Sequence, residues 1–123
     1  MNHKSNARVN EQVVACQINI NGLSIPSLTS LQKFIHQRGV SILAIQETKT
    51  SIIHKDIFLY MLTFFNSHGL GVSLSINKSL QLQEICSLNL CTDGVCTVWA
   101  MITVDTKAIL ATCIINILPT IHQ

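Results

Sequence analysis

Charge is scarce in this chain. Only 11% of its 123 residues are Asp, Glu, Lys or Arg, against about 25% in an ordinary soluble domain. That composition excludes long disorder and a coiled coil, which both need far more charge. A formal net charge of +2 commits the surface to no strongly acidic or basic partner. Also missing is an apolar run of about 20 residues, the length a spanning helix requires. Residues 57–65 stop at Asn66, Ser67, His68 and Gly69, residues 94–104 are closed by Asp93 and Asp105, and residues 108–118 are short as well. No secretory signal is expected, because residues 1–12 are polar and the apolar stretch behind them is broken by Gln17, Asn19 and Asn21.

Hydrophobic residues, at 48%, are too many for so few charges to cover in a domain this small, which exposes roughly a third of its unfolded surface. A membrane or a missing partner is implied, and a small membrane-associated protein is one alternative reading. The five cysteines, Cys16, Cys86, Cys91, Cys96 and Cys113, are odd in number, so at least one stays unpaired within the chain, which favours an intracellular, reducing compartment. They form no C-x-x-C element, and the spacing of Cys86, Cys91 and Cys96 alternates faces along a strand, so the cysteines read as small buried hydrophobes. His3, His36, His54, His68 and His122 show no ligand spacing. Lys33, Arg38, Lys49, Lys55 and Lys78 are scattered along the chain and define no basic groove.

What is present is a pattern of strands. A polar tail over residues 1–12 precedes one domain over 13–120, leaving 121–123 as the end. Residues 13–20 finish in alternation, with Ile18 and Ile20 on one face and Gln17 and Asn19 on the other, which predicts a strand. Asn21-Gly22 breaks it, and Ser24, Pro26 and Ser27 provide helix-start chemistry. A helix is expected from about residue 27, with Leu28, Leu31, Phe34 and Ile35 as its apolar stripe and Gly39 as a left-handed cap. Residues 40–45 predict a buried strand beside the first, reached by a crossover. Antiparallel strands are expected over 70–76, 82–89, 95–104 and 107–117, with turns at Asn77-Lys78, Thr92-Asp93-Gly94 and Asp105-Thr106. Residues 57–65 fit a short helix or a strand equally well.

Asn19 with Asn21, and Gln46 with Glu47, fall at the carboxyl ends of two neighbouring strands, where α/β sheets gather ligands. One glutamate flanked by amides is enough protein for Mg²⁺, which keeps several waters. An ordinary surface glutamate gives the same spacing. The order of the segments adds information: Cys16-Gln17-Ile18-Asn19-Ile20-Asn21-Gly22-Leu23, an amphipathic helix, then Ser41-Ile42-Leu43-Ala44-Ile45-Gln46-Glu47-Thr48-Lys49. This resembles the opening of the endonuclease/exonuclease/phosphatase superfamily, most of all the apurinic-type endonuclease domain of non-LTR retrotransposons. His68-Gly69-Leu70-Gly71-Val72-Ser73-Leu74-Ser75 resembles the glycine-led strand of that family, and residues 99–104 and 108–119 its next hairpin.

The resemblance covers residues 13–120 and implies an α/β fold, the N-terminal half of a two-sheet sandwich: one mixed sheet, a helix on one face, and the other face lacking its partner sheet. It implies that Glu47 binds the metal, Mg²⁺, and that Asn19 positions metal and phosphate, while Asn21 sits where relatives are often acidic. DNA is the implied ancestral partner. The family's aspartate-x-asparagine pair has no counterpart, since Asp56, Asp93 and Asp105 are followed by Ile-Phe, Gly-Val and Thr-Lys; its closing serine-aspartate-histidine motif is absent too. Its phosphate-contacting tyrosine aligns with Ile117, which cannot donate a hydrogen bond. The expectation is a truncated mobile-element endonuclease, inactive alone, or else a non-enzymatic fragment that binds nucleic acid or protein weakly. A bare inner face of about 500 Å² would forfeit roughly 12 kcal/mol of burial, comparable with a domain's net stability of about 5–15 kcal/mol. Self-association or a complementing fragment on the exposed sheet face is therefore expected.

Overall fold

The computed structural model describes residues 13–50, 54–66, 70–84, 89–92, 95–104 and 106–116. Strand β1 (Ala15–Asn19) leads into helix α1 (Ile25–Arg38) and strand β2 (Ile42–Gln46). The helix begins at Ile25, two residues before the expected start, because Ser24 is the residue that caps it. Ser24 caps it with an extended backbone, its hydroxyl accepting the Ser27 N–H at 3.3 Å, Pro26 lies in the first turn, and Gly39 ends it at φ 61°. Leu31 and Ile35 of the apolar stripe are buried and Leu28 and Phe34 partly so, against Leu43 and Ile45 of β2.

β1 and β2 run parallel, with Asn19 opposite Gln46. Three further strands, β3 (Met61–Asn66), β4 (Val72–Asn77) and β5 (Gln81–Glu84), follow. β4 lies antiparallel to β2 and to β3, which gives a mixed sheet in the order β1-β2-β4-β3. The open choice over 57–65 resolves into a turn that buries Phe58, then strand β3. A second sheet is built on β7 (Val95–Val104), which pairs antiparallel with β5, with β6 (Leu90–Thr92) and with β8 (Lys107–Asn116). The expected turn residues Asp93, Gly94 and Asp105, and Ile117, lie outside the described residues.

The described residues thus form an α/β partial sandwich with a mixed four-strand sheet, a helix and a small second sheet, as expected in class. The expected bare inner face needs correction. Val72, Leu74 and Ile76 of β4, Phe64 of β3 and Ala44 of β2 form one buried cluster with Cys96, Val98, Ala100 and Ile102 of β7. The second sheet therefore covers the first from within the same chain. The small side chains Ala44 and Ala100 take their place in this core, and the buried Asn66 binds the sheets together by donating to the carbonyls of Leu90 (3.1 Å) and Thr97 (3.2 Å). Among the described residues, what stays exposed on the inner face is β1, and there it presents Ala15, Gln17 and Asn19, which have little apolar surface to hide. The estimate of a large bare apolar face fails because β1 alternates, and its larger apolar residues, Cys16 and Ile18, point to the helix side.

The reading of the cysteines as small buried hydrophobes needs correction at one pair: Cys96 is fully buried but is not a free thiol. Cys91 is exposed and is the cross-strand partner of Cys96, with which it forms a disulfide. Among the described residues Cys16 is a free thiol, and no helix is long and apolar enough to cross a membrane.

Candidate functional site

Parallel pairing of β1 and β2 brings their carboxyl ends to one edge of the sheet, and the pairing continues past both strands. The N–H groups of Ile20, Gly22 and Leu23 donate to the carbonyls of Gln46 (3.0 Å), Glu47 (2.8 Å) and Thr48 (2.8 Å). On the other side, the N–H groups of Thr48 and Lys49 donate to Gly71 (3.2 Å) and Leu70 (2.9 Å). The Glu47–Lys49 segment is therefore held on both flanks. That hold sustains φ values of 57° at Glu47, 51° at Lys49 and 49° at Asn21, left-handed conformations uncommon for residues other than glycine. Between the two turned-out side chains, Thr48 points inward and is only 1% exposed. It fits because residue 71 is glycine: a Cβ there would stand 2.2 Å from the Thr48 hydroxyl oxygen, at a backbone φ of 84°.

The three residues singled out in the sequence meet. The Asn19 amide donates to Glu47 Oε2 at 2.5 Å, and Asn19 Oδ1 accepts the Asn21 N–H at 3.2 Å. Asn19 is thereby used at both ends of its amide, as a brace between the Glu47 carboxylate and the loop that starts at Asn21. A fourth residue completes the cluster. Lys49 Nζ donates to Asn21 Oδ1 at 2.5 Å and lies 3.8 Å from Glu47 Oε1. Sequence reasoning counted Lys49 among scattered cations; the usable signal was its position two residues beyond a strand-end glutamate. Glu47 is partly exposed, its side chain retaining 24% of its accessible surface, so water or a ligand reaches it.

Other candidates do not join. Lys78 pairs with Asp56 at 3.4 Å, and Arg38 lies over the Phe34 ring, 5.7 Å from its centre. His54 lies in the segment whose Lys55 carbonyl takes the Thr63 N–H on the outer edge of β3, two strands away from β2. No group of three or more His, Cys, Asp or Glu gathers among the described residues. The site as described has one carboxylate, two amides and one ammonium. An oxygen set of one carboxylate and an amide carbonyl suits Mg²⁺, which accepts few protein ligands.

No protein-family model matches the chain, and no curated protein is similar to it at a significant level. Among solved structures, the chain is similar to the crystal structure of humanized D. rerio TDP2 carrying 14 mutations, with a TM-score of 0.54 and 14% sequence identity. The match covers 81% of this chain and 45% of that one, so the chain spans less than half the length of the structure it matches. At this identity the likeness shows that the two chains share a fold and nothing further.

Proposed function

We propose that this chain carries part of a metal-dependent phosphodiesterase site of the DNA-nicking kind, inherited from a mobile-element endonuclease, and that it does not cleave DNA unaided. The observation that carries the reading is the Asn19–Glu47 hydrogen bond across two parallel strand ends, in a fold that TDP2 shares. The mobile-element origin is supported by the two sequence segments 16–23 and 41–49, which resemble retrotransposon endonucleases.

Glu47 and Asn21 Oδ1 are the groups that would hold Mg²⁺. When bound, the ion supplies Lewis-acid polarisation of a phosphoryl oxygen and neutralises developing charge. The chain's own residues do the orienting. Asn19 donates to one carboxylate oxygen and so aims the other outward, and its carbonyl oxygen, engaged by the Asn21 N–H, makes it a brace more than a ligand. Lys49 brings a positive charge to the place a phosphate would approach. Hydrolysis needs more: an oriented water and donors on the negative charge that develops, each worth about 10²-fold or more. Neither the aspartate-x-asparagine pair nor the serine-aspartate-histidine motif that supply them in the resembling family is found in this sequence.

The test is nicking of supercoiled plasmid in Mg²⁺. Wild type is expected to match the Glu47→Ala variant, with both at background. Mg²⁺-dependent nicking abolished by Glu47→Ala would overturn the assignment of inactivity. DNA binding that weakens with salt and is not followed by cleavage would instead support a non-enzymatic binding module.

A further inference from the structure

We propose that Lys49 is the resident counter-ion of the Glu47 carboxylate, so that a divalent cation gains this site only by displacing the ammonium. The inference rests on the reading of Glu47 and Asn21 as the metal-facing pair. Both oxygens that would face a cation already face Lys49: Glu47 Oε1 lies 3.8 Å from Nζ, and Asn21 Oδ1 accepts its proton at 2.5 Å. The second carboxylate oxygen is held by Asn19.

This position follows from the backbone. Left-handed φ at Glu47 and Lys49, on either side of the inward-facing Thr48, turns both side chains outward within reach of each other. The hydrogen bonds to Gly22, Leu23, Leu70 and Gly71 keep the segment in that shape. The charge balance makes the competition costly for a metal. Glu47 and Lys49 sum to zero, so an incoming dication meets no net negative charge, and repulsion by the neighbouring ammonium lowers its affinity by a factor of about ten or more. With a 42% exposed side chain, Lys49 has room to swing out once displaced, leaving an ammonium beside the site for an anionic ligand.

The test is Mn²⁺ binding to the full chain, read from loss of the free hexaaqua-ion signal in electron paramagnetic resonance, with thermal melts to confirm that each variant folds. Lys49→Met should bind Mn²⁺ about tenfold more tightly than wild type. Lys49→Arg should resemble wild type, and Lys49→Met combined with Glu47→Gln should lose the gain. Equal affinity in wild type and Lys49→Met, with loss in Glu47→Gln, would overturn the counter-ion role while leaving the metal reading intact. Absence of binding in every variant, or a gain that survives Glu47→Gln, would overturn both.

Discussion

Gly71 shows how much of the site depends on an atom that is not there. Its missing Cβ leaves room for the Thr48 hydroxyl, and its φ of 84° lies where an alanine is strained whatever the space. Gly71→Ala should therefore push Thr48 out of its buried position, cost about 1–3 kcal/mol and lower the Tm by roughly 5 °C or more in a thermal melt. Because Thr48 separates Glu47 from Lys49, the same change should weaken Mn²⁺ binding. An unchanged Tm would mean that Thr48 moves aside freely and that the backbone at residue 71 relaxes out of its left-handed conformation. Asn19, Asn21 and Glu47 stood out in the sequence through the order of segments 16–23 and 41–49, since strand-end spacing alone fits an ordinary surface glutamate as well. Lys49 and Gly71 were not. A lysine is usually solvated, and a glycine opening a strand does not say which side chain it makes room for.

Helix α1 is the element most fully written in its own residues. Its start, stop and buried stripe all depend on interactions within about four positions: Ser24 with Ser27, Gly39 with the Ile35 carbonyl, and Leu31 with Ile35. Ser24→Ala should lose the cap and cost about 1 kcal/mol, read as a shift of the urea midpoint at constant slope. A loss near zero would show that water replaces the hydroxyl. Strand β7 was legible for a different reason: it is an apolar run closed at both ends by aspartates, and its bounds agree with the expected 95–104. Residues 57–65, which end in β3, gave no such signal. Their apolar run suits helix or strand, and the choice came from pairing with β4, a partner distant in the chain.

At the level of the entire chain, the packing of two sheets changes what the composition seemed to demand. Many apolar residues and few charges suggested an uncovered face, yet β7 places Cys96, Val98, Ala100 and Ile102 on β3 and β4. Ile102→Ala should therefore cost about 2–5 kcal/mol in chemical denaturation, as a filled core position does. A cost well under 1 kcal/mol would return the inner face to solvent and restore the expectation of face-to-face association. What remains open on this side is β1, whose inward residues are small or polar. Any stabilising neighbour at β1 would meet its backbone edge as well as its side chains.

Local order was readable from the amino acids alone: the helix with its caps, most of the strands, and the chemical character of Asn19, Asn21 and Glu47. These depend on periodicity and on hydrogen bonds that span a few residues. Three features came from folding in three dimensions: the cover that the second sheet gives the first, the seat of Thr48 over Gly71, and the approach of Lys49 to Glu47 and Asn21. The sheet cover, the Thr48–Gly71 seat and the Lys49–Asn21 contact join segments whose separation in the chain carries no periodic trace; Lys49 and Glu47 are near neighbours, but only the backbone pairing that fixes their left-handed turns sets their side chains together.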